Sequence, residues 1–206
     1  MSRAFCYQCR RAKITCLCGR IEKQPNEIKI VVLQHPDERN NPKGSAIIAE
    51  LGLQKYQRWT AEDFSQHEEF NDFLIKHKSE VAVLYPSKDA IELNKKWKNK
   101  DGWNPKYLIV IDATWRKAKK IWELQPLLHK LPVLRLTEEE FSNYRIRKAP
   151  KDGYLSTIES IVISLRALEY NSQAYQPLLD LFAEMIDFQI EKMGERTYLK
   201  NYLDKL

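Results

Sequence analysis

Four short runs of almost unbroken apolar residues constrain this chain most. They are Ile28-Lys29-Ile30-Val31-Val32-Leu33 and the segments 81–85, 107–111 and 132–136. A strand that is apolar on both sides must be covered on both faces, which is the pattern of a parallel sheet between helix layers. Helical spacings alternate with the runs. Lys43-Gly44-Ser45 opens a helix through Leu53, and a short helix is expected over 70–75. Segment 115–131 carries Trp115, Ala118, Ile121, Trp122 and Leu128 at roughly helical intervals. Ser156 opens a helix with Ile158, Ile161, Val162 and Leu165 on one face, and a last helix spans about 175–192. Segment 95–106, with Gly102 and Pro105, reads as a loop. The expectation is an α/β fold on a parallel sheet.

At 206 residues, 43% of them hydrophobic, the chain suits one core with a small appendage. Its net charge of +6 and pI near 9.0 suit an acidic partner, nucleic acid first and an anionic membrane surface second. No apolar run approaches the roughly 18 residues of a membrane span, and no apolar signal core follows the N-terminus. A soluble, cytoplasmic protein is expected.

All four cysteines fall in Cys6-x2-Cys9 and Cys16-x-Cys18. Four thiolates so close suit a tetrahedral metal such as zinc, and a closed four-sulfur site is structural rather than catalytic. Free thiols or a redox pair are the alternative. Arg10, Arg11 and Lys13, between the pairs, offer charge to RNA or to solvent. The division expected is a zinc-binding segment over 1–25 and a catalytic domain over 26–206.

Asp112-Ala113-Thr114-Trp115 stands where the third apolar run meets a helix, with Arg116, Lys117, Lys119 and Lys120 behind it. Carboxyl ends of parallel strands are where ligands bind, yet Asp and Thr are also good helix caps. Ser156-Thr157-Ile158-Glu159 has the spacing of a capping box, and its helix N-terminus also offers N–H groups to an anion. Tyr144 to Lys151 interleaves Arg145, Arg147 and Lys148 with Tyr144, a pattern for gripping phosphates and stacking bases. His35, with Glu38 and Arg39, follows the first run.

Taken in order, Cys6-x2-Cys9…Cys16-x-Cys18, His35-Pro36-x-Glu38, Asp112-x-Thr114-Trp115 and Leu155-Ser156-Thr157-x-Glu159 resemble the DTW-domain family over nearly the whole chain. Gly44-Ser45 stands where that family usually has Asn-Thr. The resemblance implies a SPOUT-like fold with a C-terminal knot. It implies a tRNA-uridine aminocarboxypropyltransferase, which moves the 3-amino-3-carboxypropyl group of S-adenosylmethionine to N3 of a uridine and releases 5′-methylthioadenosine. Asp112 would be the catalytic base or orient the uracil. The donor would lie on Leu84, Tyr85, Pro86, Ser87, Thr114, Trp115, Leu155, Ser156, Thr157 and Glu159. The tRNA would meet His35, Glu38, Arg39, Arg116, Lys117, Arg145, Arg147 and Lys148. Such enzymes are monomers or homodimers. The rival readings are methyl transfer, transfer to ribosomal RNA, and a zinc-bearing RNA-binding module without catalysis.

Overall fold

The four apolar runs do become parallel strands. The computed structural model describes residues 4–93, 103–137 and 155–199, with Glu195 as backbone alone. In chain order, a hairpin of β1 (Phe5–Cys6) and β2 (Arg11–Ala12) precedes β3 (Lys29–Gln34) and α1 (Ala46–Gly52). Then come β4 (Tyr56–Thr60), α2 (Glu68–His77), β5 (Val81–Leu84), β6 (Ile91–Leu93) and β7 (Tyr107–Asp112). They are followed by α3 (Trp115–Leu124), β8 (Val133–Leu136), α4 (Thr157–Leu168), α5 (Gln176–Met193) and α6 (Glu195–Tyr198). Six strands form one sheet in the order β4-β3-β7-β5-β8-β6, every pairing parallel.

Side chains alternate across the sheet with the period of two that strands impose. Ile30, Val32, Leu108 and Val110 point to the layer of α1, α4 and α5. Val31, Leu33, Val83 and Ile109 point to the layer of α2 and α3. The α4 stripe of Ile158, Ile161, Val162, Leu165 and Leu168 is completely buried. Each such side chain contributes about 1.5–3 kcal/mol of burial.

The structure differs from the sequence reading in three places. Strands β4 and β6 were not anticipated, since both lie at sheet edges and expose part of their polar residues. The helix expected over 115–131 stops at Leu124, and Leu128–Lys130 is a separate 3-10 turn. Pro126 explains the break: it lacks an N–H and forces Gln125 out of the helical region, to φ −116° and ψ 83°. The basic loop 144–151 and most of the loop expected over 95–106 lie outside the described residues.

Two contacts fix the C-terminal helices on the sheet. Tyr175, left-handed at φ 66°, begins α5, and its hydroxyl donates to the Glu169 carboxylate and lies 3.2 Å from the Pro25 carbonyl. The other Glu169 oxygen accepts the N–H groups of Glu27 and Ile28, both at 2.9 Å, just before β3. At the other contact α1 meets α5 at Gly52, where an added Cβ would stand 2.2 Å from Leu178 Cδ2. Among the described residues no helix is long and apolar enough to cross a membrane.

Candidate functional site at the carboxyl ends of the central strands

Strand β7 runs between β3 and β5, and its last residue pairs in register with the last of β3, Asp112 beside Gln34. The two side chains meet. Gln34 Nε2 donates to Asp112 Oδ2 at 2.8 Å. The Thr157 hydroxyl, from the first turn of α4, donates to Asp112 Oδ1 at 2.6 Å. Asp112 is only 6% exposed and Gln34 only 3%. A carboxylate is thus held at a strand end by an amide and a hydroxyl from two other elements. Asp112 does not cap α3; that position is taken by Thr114, which is exposed and makes no side-chain capping bond.

Ser156 and Glu159 form the capping box that their spacing predicts. The Ser156 hydroxyl accepts the Glu159 N–H at 3.3 Å, and the Glu159 carboxylate accepts the Ser156 N–H at 2.7 Å. The Ile158 N–H donates to the Ser45 hydroxyl, 3.2 Å away at the start of α1. Two of the N–H groups expected to await an anion are therefore already taken within the protein. The sequence showed Ser45 as part of the start of α1, but not its bond to α4.

The other site candidates sort by position. Leu84 pairs with Val110 and Leu134, so the Tyr85-Pro86-Ser87 turn leaves the sheet at this same edge. The Tyr85 ring lies flat on Trp122, centroids 4.2 Å apart and planes at 7°. Leu155 and Trp115 are half-buried. His35 Nδ1 accepts the Asp37 N–H at 3.2 Å and so caps the turn after β3, which puts the ring proton on Nε2. Glu38 accepts from Asn41 at 2.7 Å. Lys117 is paired with Asp37 and holds that carboxyl below the usual range, whereas Arg39 and Arg116 are exposed. Arg145, Arg147 and Lys148 lie outside the described residues. A groove beside β3 is lined by Arg11, Gln34, Glu38, Arg39, Gly44 and Ala46, among others.

The four cysteine sulfurs lie within 4.8 Å of one another. Cys6 and Cys18 are 3.8 Å apart, and Cys9 and Cys16 3.7 Å. Four sulfurs bound tetrahedrally at zinc distances stand about 3.8 Å apart, so the set fits that ion. The Cys9 backbone N–H, then the Cys16 thiol, draw the Cys6 thiol down to about 6. Burial, then the neighbouring thiols, push Cys18 up to about 12. Crowded thiols resist ionising together unless a cation joins them.

Two of the three cations between the cysteine pairs do not face outward. Arg11 is 5% exposed and donates to the Gly44 carbonyl at 2.9 Å. Arg10 donates to Glu50 at 2.9 Å and to the Arg39 carbonyl at 3.2 Å, while Arg58 reaches the same Glu50 oxygen at 2.7 Å. Arg10 and Arg11 fasten the cysteine segment to α1 and to the residues just before it. Sequence reasoning missed Gln34, Ser45 and this role of Arg11, because each is defined by a partner distant in the chain.

Comparison with known proteins gives the family. The chain is 30% identical over 205 residues to tRNA-uridine aminocarboxypropyltransferase 2 of Drosophila melanogaster, covering 97% of this chain and 80% of that one. Proteins of the same name from Macaca fascicularis and Mus musculus are 28% and 26% identical, covering 98% of this chain and 69% and 68% of theirs. No solved structure matches. The DTW domain model matches residues 3–190, nearly the full length, and the chain belongs to the DTW-domain family.

Proposed function

We propose that this chain is an enzyme that transfers the 3-amino-3-carboxypropyl group of S-adenosylmethionine to N3 of a tRNA uridine. The reading is carried by the match, over nearly all of this chain, to three proteins named for aminocarboxypropyl transfer to a tRNA uridine. The polar cluster of Asp112, Gln34 and Thr157 at the strand ends, and the net charge of +6, support it. In the reaction uridine N3 loses its proton and attacks the γ-carbon of the amino-acid chain. The carbon–sulfur bond breaks, its electron pair goes to sulfur, and neutral 5′-methylthioadenosine leaves. Uridine N3 is a weak nucleophile until that proton departs, so a positioned carboxylate is useful. Asp112 takes the proton or orients the uracil.

The turn of Leu84 to Ser87, Thr114, Trp115 and the Leu155 to Glu159 turn form the donor site. His35, Glu38, Arg39, Arg116 and Lys117 line the approach of the tRNA, and Arg145, Arg147 and Lys148 grip its phosphates. Residues 1–25 form a structural zinc segment and 26–206 the catalytic domain, in the cytoplasm, as a monomer or homodimer. The domain carries a SPOUT-like C-terminal knot; an experimental trace in which the C-terminal helices pass through no loop overturns that part.

The deciding experiment incubates the protein with bulk tRNA and S-adenosylmethionine labelled in the carboxypropyl group, then digests the RNA. Labelled aminocarboxypropyluridine with 5′-methylthioadenosine is the expected result. Adenosylhomocysteine as by-product indicates methyl transfer instead. Salt-sensitive RNA binding without any S-adenosylmethionine binding indicates a module without catalysis.

A further inference from the structure

The Gln34 side chain is committed at one end and bare at the other. A carboxylate can only accept hydrogen bonds, so the amide must turn its NH2 toward Asp112, as the 2.8 Å contact shows. That orientation leaves Gln34 Oε1 buried with no hydrogen-bond partner. Native proteins keep few buried carbonyls in this state, and each is costly. This one sits at the last residue of β3, in register with the last residue of β7, and Gln34 is among the residues lining the groove beside α1. A ligand that brings N–H donors to that corner would satisfy it.

We propose that Gln34 accepts a hydrogen bond from the α-ammonium of the donor's aminocarboxypropyl chain and so determines which carbon of the sulfonium faces the acceptor base. The proposal rests on the reaction read above. Two features favour the ammonium over the uracil N–H. Gln34 Oε1 and the Asp112 carboxylate set acceptors side by side, which suits a group with three N–H donors. Uracil N3 gives up its proton during reaction, so a bond to that N–H would be lost on the way to the transition state and would oppose turnover. The ammonium keeps its protons throughout. Holding the far end of the chain presents its γ-carbon, rather than the methyl group, to the nucleophile.

The test is calorimetric titration of the full-length protein with S-adenosylmethionine and with 5′-methylthioadenosine, which lacks the amino-acid chain. Gln34→Met keeps the volume and removes the carbonyl. It is expected to weaken S-adenosylmethionine about tenfold or more and leave 5′-methylthioadenosine unchanged. Equal weakening of both nucleosides, or no change in either, overturns the proposal. If Gln34→Met does not fold, Gln34→Asn, which retracts the carbonyl by one methylene, is judged by the same contrast. A wild-type protein that binds neither nucleoside overturns the reaction as well. A wild-type protein that transfers normally while Gln34→Met keeps its S-adenosylmethionine affinity overturns the role of Gln34 alone.

Discussion

At the scale of single residues, Asp112 is held by donors from two directions, so a change there separates chemistry from shape. Asp112→Asn keeps the size and one acceptor for Thr157 or Gln34, but no longer takes a proton. The expected outcome is a fall in kcat of about 100-fold or more with S-adenosylmethionine affinity retained, measured by single-turnover transfer and by titration. Unchanged turnover would remove the base role. Asp112 was legible in the sequence as a carboxylate between an apolar run and a helix, but a helix cap explained it equally well until the other motifs were read beside it. Gln34 was not. Its position matters only because β3 and β7 lie side by side with their ends flush, which brings together residues 78 apart in the chain. Thr157 was legible as part of a motif, while its bond to Asp112 was not.

At the scale of elements, helices with a clear apolar stripe and a cap were readable, and α4 begins at the cap its sequence announces. The edge strands were not readable, because short segments with mixed polarity resemble loops until a neighbour pairs with them. The contact of α1 with α5 was equally hidden, since a glycine near a helix end suggests a cap before it suggests crowding. Gly52→Ala tests that contact. Leu178 is fully buried and would have to change rotamer to admit the new methyl. The expected cost is about 1–2 kcal/mol, after a small gain in helix propensity, read as a lower denaturation midpoint in urea.

Across the whole molecule, the cysteine segment and the strand ends are joined by a short relay. Arg11 holds the Gly44 carbonyl, the next residue Ser45 receives the Ile158 N–H, and Thr157 beside it holds Asp112. Removing metal with a chelator is therefore expected to reach beyond residues 4–24. Hydrogen exchange should quicken at the Gly44 and Ile158 amides and stay slow at Leu108 and Val110 in the central strand. Arg11→Ala should reproduce the effect with metal bound. Exchange that quickens only among the cysteines would disconnect the two regions.

The sheet order has a consequence for how the molecule is born. Strand β7 lies between β3 and β5 yet leaves the ribosome after both. A nascent chain ending before residue 107 has β3 and β5 with a gap between them, where the facing backbone edges at Val31, Val83 and their neighbours have no strand to pair with. Closing that gap joins segments far apart in sequence, which is the slow kind of pairing and the kind that leaves apolar edges open to other chains. Synthesis of this protein thus includes an interval, ended only when β7 arrives, in which chaperones have something to hold.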